Sequence, residues 1–167
     1  MTARKDLQTD SPEDRDMSSG YLKAVSLIEH LHRQLLDLLK ASLEGAGQNE
    51  VNNVQALLLY NIGDSELSAG ELRSRGHYHG SNVSYNLKKL VDAGYIHHER
   101  SQSDRRSVRV RLTPKGQAIR NIVNDCLEAH QPLLSQSERL DENGLETLNQ
   151  TLLALEEFWR SRLVESR

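Results

Sequence analysis

The chain has 167 residues, of which 37% are hydrophobic and 27% are charged, and this composition predicts one globular domain with helical extensions. No stretch approaches the ~20 consecutive apolar residues of a membrane-spanning helix, and residues 1–20 lack the apolar core of a secretion signal, so we expect a cytoplasmic protein without a membrane partner. Cys126 is the only cysteine, which excludes an intramolecular disulfide.

The formal net charge of −3 conceals an uneven distribution along the chain. Residues 70–120 contain eleven Lys and Arg against four Asp and Glu, whereas the rest of the chain contains ten against twenty. A basic middle segment between acidic ends predicts a central surface for an anionic ligand. The alternative that the charge count leaves open is an ordinary solvated charged face.

The first part of the chain predicts a tail and three helices. Residues 1–17 are polar and predict a flexible tail. From Tyr21, apolar residues at spacings of three and four predict a long amphipathic helix that ends at Gly45. A second helix is predicted over 51–62 and a short third helix over 69–75, each closed by the glycine that follows it.

A fourth helix and a hairpin are predicted next. In SNVSYNLKKLVDAG, residues 81–94, the apolar side chains fall on one face of a helix that Gly94 ends. Apolar and polar residues then alternate over 95–100 and 107–112, on either side of a polar turn. This alternation predicts a β-hairpin with an apolar inner face and a basic outer face.

Two further helices are predicted after the hairpin. The first begins at Thr113-Pro114 and is interrupted at Gln131-Pro132. The last repeats apolar residues at spacings of three and four over 145–159, a seam that requires a partner helix. We therefore expect the N- and C-terminal helices to form a two-fold dimer interface, the alternative being a helical bundle within one chain.

Three motifs in this order resemble the DNA-binding core of the MarR (multiple antibiotic resistance regulator) family of bacterial transcription factors. They are the run from Leu90 through Gly94 to Tyr95-Ile96, then Asp104-Arg105-Arg106, then Leu112-Thr113-Pro114-Lys115-Gly116. The resemblance covers roughly residues 18–165. The stretch GSNVSYNLKKL, residues 80–90, further resembles a proteobacterial branch that includes regulators of L,D-transpeptidase genes.

This resemblance implies a mainly α fold with a small β-hairpin wing (α+β), namely a winged helix-turn-helix with N- and C-terminal dimerisation helices. The DNA-binding lobe would span 48–113, and the dimerisation region would comprise 18–47 and 114–167. The implied function is sequence-specific regulation of transcription, usually repression, by a homodimer bound to a pseudo-palindromic operator in double-stranded DNA. The implied regulator responds to a small-molecule effector, which no residue of the sequence identifies.

The predicted fourth helix carries side chains suited to reading DNA. Four of them offer hydrogen-bond donors and acceptors near its N-terminus: Ser81, Asn82, Ser84 and Tyr85. Such groups suit base edges, and Asn suits bidentate pairing with adenine. Lys88 and Lys89 follow one turn later and are predicted to contact phosphates. The alternative is that all six residues only solvate the outer face of an amphipathic helix.

The predicted wing is rich in arginine, whose weakly hydrated guanidinium suits a narrow minor groove better than an ammonium group does. The resemblance implies that Arg106 enters the groove, that Asp104 orients it, and that Arg105 contacts a phosphate. Arg109 and Arg111 lie on the outer face of the second strand. For these two we expect either phosphate contact or pairing with an acid of the first strand.

Other chemistries have less support in the sequence. Four histidines lie in the basic segment: His77, His79, His97 and His98. Their spacing matches no zinc pattern, so we predict neither a metal nor a cofactor. Cys126 lies in an apolar stripe beside acidic residues, which favours a core position over a redox sensor. No enzyme motif is present and we expect no enzyme; a winged helix that binds an acidic protein is the alternative function.

Overall fold

The computed structural model describes residues 12–68, 71, 81–100, 108–134, 136–137 and 139–165. Its helices and strands are α1 (Pro12–Gly45), α2 (Asn53–Ile62), β1 (Leu67–Ser68), α3 (Ser81–Asp92), β2 (Ile96–Arg100), β3 (Val108–Leu112), α4 (Pro114–Leu134) and α5 (Glu142–Glu165). Several predicted features lie outside the described residues: the third helix apart from Glu71, His77, His79, and the wing tip with Asp104, Arg105 and Arg106.

Helix α1 begins earlier than predicted. It starts at Pro12, so the predicted boundary of the tail at residue 17 is wrong. Proline has the fixed φ of a first helical turn, where its missing N–H would have no partner. The predicted end at Gly45 is confirmed, and Gly47, with a φ of 71°, adopts the left-handed conformation of the turn that follows.

Helix α2 is capped at both ends. The side-chain oxygen of Asn52 accepts the backbone N–H of Gln55 at 2.9 Å, and the side-chain oxygen of Gln55 accepts the backbone N–H of Asn52 at 3.2 Å. This reciprocal pair is a capping box, which satisfies two N–H groups that the helix itself leaves unpaired. Gly63, with a φ of 69°, ends the helix as the sequence predicted.

The hydrophobic core lies where α1, α2 and α4 pack beside the small sheet. Leu39 of α1 and Leu59 of α2 are fully buried, and Ile119 of α4 is 1% exposed. Each such side chain contributes about 1.5–3 kcal/mol when removed from water. The remaining core residues are Leu43, Val51, Ala56, Leu58, Ile62, Leu67, Leu90, Tyr95, Ile96, Val110 and Val123. One core therefore joins the N-terminal helix, the hairpin and the helix that follows the hairpin.

The predicted hairpin is confirmed, and a third strand joins it. Strands β2 and β3 are antiparallel, with Ile96 opposite Leu112. Strand β1 pairs with the other edge of β3, which gives the order β1-β3-β2 and sets the buried Leu67 opposite Val110. A strand of two residues is too short to display an alternating pattern, which is why the sequence did not reveal it. The mainly α fold with a small hairpin wing is confirmed.

The two C-terminal helices differ in how much they bury. Helix α4 continues through Pro132 to Leu134, so the predicted interruption at Gln131-Pro132 is wrong. Because Pro132 lies in the last turn, its missing N–H removes one hydrogen bond where helices already fray. Helix α5 contains no buried residue. Among the described residues, no helix is both long enough and apolar enough to cross a membrane.

Candidate nucleic-acid interface

Helix α3 presents an apolar side to the core and a polar side to solvent. Leu90 is 1% exposed, and Leu87 and Val91 pack against the core. Four of the predicted site residues are exposed: Ser84, Tyr85, Lys88 and Lys89. Ser81 and Asn82 lie in the first turn of the helix. The apolar side fixes the helix to its lobe, and the exposed side chains remain available to a ligand.

Tyr85 and Lys89 contact each other one turn apart on α3. The Lys89 ammonium lies 4.6 Å from the centroid of the Tyr85 ring. A cation–π pair at an exposed site contributes about 0.5–1 kcal/mol. Because Tyr85 is still 58% exposed, the contact orients the ring without removing it from solvent.

The C-terminal end of α3 is closed by a Schellman motif. The N–H of Tyr95 donates to the carbonyl of Leu90 at 2.8 Å, and the N–H of Gly94 donates to the carbonyl of Val91 at 3.0 Å. Gly94 has a φ of 76°, a conformation that glycine adopts without steric cost. The glycine of the first family motif therefore stops the helix and turns the chain directly into the hairpin.

The start of α4 packs onto residues 93–95, where the chain leaves α3 and which we call the exit of α3. The hydroxyl of Thr113 donates to the carbonyl of Gly94 at 2.7 Å, and the backbone N–H of Thr113 donates to the carbonyl of Tyr95 at 3.1 Å. Lys115 donates to the carbonyl of Ala93 at 3.4 Å, where a cation also suits the negative end of the α3 dipole. Gly116 approaches so closely that a Cβ there would lie 2.1 Å from the carbonyl oxygen of Tyr95.

A polar cluster formed by Glu50, Tyr95 and Lys115 links this exit to the junction between α1 and α2, residues 46–52. Glu50 Oε2 accepts hydrogen bonds from the hydroxyl of Tyr95 at 3.0 Å and from the ammonium of Lys115 at 2.9 Å. The same ammonium lies 4.2 Å from the centroid of the Tyr95 ring. Three segments that are distant in sequence therefore meet at one carboxylate.

The electrostatics of the cluster follow from these contacts. The hydrogen bond from Lys115 lowers the pKa of Glu50, and the hydrogen bond from Tyr95 lowers it further. Burial of the ring raises the pKa of Tyr95, and its hydrogen bond to Glu50 acts in the same direction. The hydrogen bond to Glu50 raises the pKa of Lys115. At neutral pH the cluster thus contains a carboxylate, a neutral phenol and an ammonium ion.

The outer face of the hairpin carries two arginines, each near a carboxylate. Arg111 lies 3.8 Å from Glu99 on the neighbouring strand, which is the pairing across the hairpin that the sequence predicted as one alternative. Arg109 lies 3.9 Å from Glu66, which precedes β1. Both arginines are about half exposed, and exposed pairs at such distances contribute little to stability. Phosphates can therefore displace these carboxylates at small cost.

Two of the clefts in the described part of the chain border α3. The larger has a volume of about 820 Å³, lies between α1, the α1–α2 junction and the second half of α3, and is lined in part by Glu44, Lys89 and Tyr95. The smaller has a volume of about 380 Å³ and lies between α3 and the hairpin, where Ser84 and His98 line it. Both volumes fall in the range of roughly 300–1,000 Å³ that is typical of small-molecule sites.

The histidines and the cysteine form no further site in the described part of the chain. No group of three or more His, Cys, Asp or Glu residues there is arranged to hold a metal ion. His97 and His98 are exposed on β2. Cys126 is partly buried and packs against the core, as expected for a residue of the apolar stripe of α4.

Solved structures with the same fold include protein–DNA complexes. FabT of Streptococcus pneumoniae in complex with DNA matches with a TM-score of 0.66 and 20% identity, over 84% of this chain and 98% of that one. A MarR variant from E. coli bound to operator DNA matches with a TM-score of 0.63 and 22% identity, over 81% and 95% of the two chains. At these identities the similarity establishes the winged-helix fold.

Sequence comparison establishes the family. The profile of a winged helix DNA-binding domain matches residues 51–116. The exopolysaccharide II synthesis transcriptional activator ExpG of Rhizobium meliloti (strain 1021) is 39% identical over 160 residues, which is 95% of this chain and 82% of ExpG. The chain belongs to the MarR family. As a member of the MarR family it is a DNA-binding regulator of transcription.

Membership of the MarR family explains the motifs, but two contacts near α3 lie outside them. Glu50 was not predicted, because a lone acid in a loop has no sequence pattern. Gln55, which is 8% exposed, donates to the side-chain oxygen of Asn86 on α3 at 3.3 Å. Its place in the capping motif of α2 is visible in the sequence, but its second contact depends on how α2 packs against α3.

Proposed function

We propose that the chain acts as a homodimeric transcriptional regulator that binds two half-sites of a pseudo-palindromic operator in double-stranded DNA. The observation that carries this proposal is the arrangement of α3, whose apolar side is anchored in the core while its exposed side carries polar and basic residues. A helix held in this way can enter a major groove without rearrangement of its lobe.

Each predicted contact has a proposed role. Base edges are read by four residues at the start of α3: Ser81, Asn82, Ser84 and Tyr85. Lys88 and Lys89 contact phosphates, and Lys89 also orients the ring of Tyr85. In the wing, Arg106 enters the minor groove beside Asp104, while Arg105 and Arg109 contact the backbone. Arg109 can do so because its exposed pair with Glu66 is weak.

The proposed dimer buries the apolar faces of the terminal helices. Residues 18–47 and 114–167 form the proposed dimerisation region, and 48–113 form the DNA-binding lobe. Exposed large apolar residues are concentrated on α1 and α5: Met17, Tyr21, Leu22, Leu27, Leu31, Leu38, Leu148, Leu152, Leu153, Phe158, Leu163 and Val164. A helix as long as α5 with no buried residue requires a partner, and a two-fold interface supplies one.

The dimer proposal is tested on α5. Leu152 lies on the predicted seam and is 42% exposed, so Leu152→Glu should convert the dimer to a monomer in light scattering. Ala154→Glu places the same charge on the other side of the exposed helix and should remain dimeric. Two variants with the same oligomeric state would contradict the assignment of the seam.

We further propose that a small-molecule effector modulates DNA binding from the cleft of about 820 Å³ between α1 and α3. A ligand there contacts both the dimerisation helix and the recognition helix, so it can favour one relative orientation of the two. Because the proposed target is chromosomal DNA, we place the protein in the cytoplasm. No metal or cofactor enters this proposal.

The direction of regulation is proposed from the relative. Family resemblance predicts a repressor. ExpG is an activator by name and resembles 95% of this chain, so we propose activation. A reporter fused to a bound promoter should lose expression when the regulator is deleted. A gain of expression would establish repression instead.

The experiment that tests the function is selection of DNA fragments from the source genome by the full-length protein. The expected result is a set of fragments with two related half-sites about one helical turn apart, bound with an affinity that falls steeply with salt. Steep salt dependence without preference for any sequence would instead support the alternative of an electrostatic surface for an acidic protein partner.

Two substitutions then test the roles of individual residues. Arg106→Ala should weaken binding to the selected site by about 1–3 kcal/mol and leave the dimer intact. Asn82→Ala should relax the base preference at one position in each half-site. Arg33→Ala is the control, because Arg33 is an exposed residue of α1 that pairs only weakly with Glu29, at 3.6 Å.

A further inference from the structure

The junction between α1 and α2 is firmly attached to α1. The N–H of Gln48 donates to the carbonyl of Leu43 at 2.8 Å, and the side-chain amide of Asn53 donates to the carbonyl of Leu36 at 2.8 Å. Val51, the neighbour of Glu50, is 4% exposed and belongs to the core. The backbone at Glu50 therefore follows any movement of α1.

The partners of Glu50 are attached to the recognition helix. Tyr95 is the residue that completes the Schellman motif of α3, and its ring is almost completely buried. Lys115 donates to a carbonyl just beyond α3 and lies in the first turn of α4. The carboxylate of Glu50 bonds to both residues and so spans the gap between α1 and the α3 exit.

We propose that Glu50 is a positioning residue that fixes the angle of the recognition helix relative to α1 and thereby sets the half-site spacing that the dimer accepts. This inference rests on the proposed function. It adds a determinant of operator geometry that lies outside the DNA-reading residues and outside the family motifs.

The geometry of α3 makes small rotations significant. Its 12 residues span about 18 Å, so a rotation of about 5° at its C-terminal exit moves its base-reading end by roughly 1.5 Å. In a two-fold dimer both ends move, and the separation changes by about 3 Å. The rise of DNA is about 3.4 Å per base pair, so a rotation of this size in both protomers is sufficient to alter the spacing preference by one base pair.

A direct stabilising role does not account for this arrangement. The Glu50 side chain is 72% exposed and that of Lys115 is 49% exposed, and ion pairs this accessible to water add little to folding stability. A contact with a small effect on folding stability can still select one of two similar orientations of α3. The populations of the two orientations depend only on the free-energy difference between them.

The test compares Glu50→Ala and Glu50→Gln with Glu29→Ala in the full-length protein. Glu29 is the matched control, because it is an exposed acid on α1 whose contact, with Arg33 at 3.6 Å, stays within the same helix. The probes are a duplex selected by the wild-type protein, the same duplex with one base pair added or removed between half-sites, and a duplex with a single half-site.

We expect Glu50→Ala to lose about threefold to tenfold in affinity for the selected duplex, with less than a twofold change on the single half-site. The preference for the native spacing should fall by a similar factor. The affinity and spacing preference of Glu50→Gln should lie between those of the wild type and Glu50→Ala. Its amide oxygen still accepts a hydrogen bond from Tyr95, but the charge opposite Lys115 is gone. Glu29→Ala should match the wild type, and all variants should remain dimers.

Several results would overturn the proposal. An unchanged spacing preference in Glu50→Ala, or an equal loss on the single half-site, would assign Glu50 a local role only. If Glu50→Ala fails to fold, Glu50→Gln and Tyr95→Phe decide, since Tyr95→Phe removes only the hydroxyl and should shift spacing preference in the same direction. If the wild-type protein selects no paired half-sites, the proposed function itself fails. The selection with the wild-type protein therefore distinguishes that failure from a failure of the Glu50 proposal.

Discussion

Substitution of Gly116 by alanine tests whether the close approach of α4 to the exit of the recognition helix is required. The added Cβ would lie 2.1 Å from the carbonyl oxygen of Tyr95, and real Cβ contacts are essentially never under 3.0 Å. The two segments must therefore separate by about 0.9 Å. Such overpacking costs about 1–3 kcal/mol, against a gain of about 0.5–1 kcal/mol from replacing glycine within a helix.

Both folding and DNA binding should report this change. For a chain of this size we expect Gly116→Ala to lower Tm by about 2–8 °C, measured by circular dichroism. Because the hydrogen bond from Thr113 to the same carbonyl is at 3.1 Å, the separation also disturbs the support of α3. Affinity for the selected duplex should therefore fall, even at temperatures where the variant is fully folded.

Gly144→Ala provides a control with the same steric conflict at a different place. A Cβ at Gly144 would lie 2.2 Å from the carbonyl oxygen of Arg139, at the start of α5 and outside the DNA-binding lobe. It should lower Tm comparably but leave the affinity of the intact dimer for DNA unchanged. A Gly116→Ala variant that is as stable as the wild type would refute the steric reasoning, and one that is destabilised but binds DNA normally would refute the link to α3.

Two further predictions concern stability. Ile119 is 1% exposed, so Ile119→Ala should lower the free energy of unfolding by about 2–5 kcal/mol in urea titrations. Ala118→Gly, at an exposed position of the same helix, should lower it by only about 1 kcal/mol, and equal effects of the two substitutions would contradict the placement of Ile119 in the core. The pKa of Glu50 lies below its ordinary value of 4.5 in the folded protein, so the contribution of its charge to stability is complete above that value and is lost as pH falls through the lower folded-state pKa. The stability difference between wild type and Glu50→Gln should therefore be present at pH 7 and shrink below pH 4.5, and a difference that persists at lower pH would contradict the charge-based account.

Local signals predicted most of the elements, because helix periodicity, glycine stops and strand alternation depend on neighbouring residues. Gly45, Gly63 and Gly94 each end a helix where predicted. The errors occurred where a local signal was ambiguous. Pro12 begins a helix, where the N–H that proline lacks would have no partner. Pro132 lies in the last turn of a helix, where its missing N–H removes a single hydrogen bond and only two helical residues follow.

The parts of the site that sequence did not reveal depend on contacts between distant segments. Glu50 and Lys115 are 65 residues apart, and Gln55 and Asn86 are 31 apart. No periodicity relates such pairs, so only packing brings them together. In contrast, the exposed face of α3 was predictable, because helix geometry alone determines which of its residues share a side.

The motifs that identify the family have a structural role distinct from reading DNA. Gly94 stops the recognition helix, Thr113 donates to the carbonyls of Gly94 and Tyr95 just beyond its end, and Gly116 permits the approach of α4. All three act at the exit of α3, away from the base-reading end. The same scaffold can therefore carry different residues at the start of α3 and recognise different operators. The motifs specify how the helix is held, whereas the exposed side chains of its first turns specify the DNA sequence that is read.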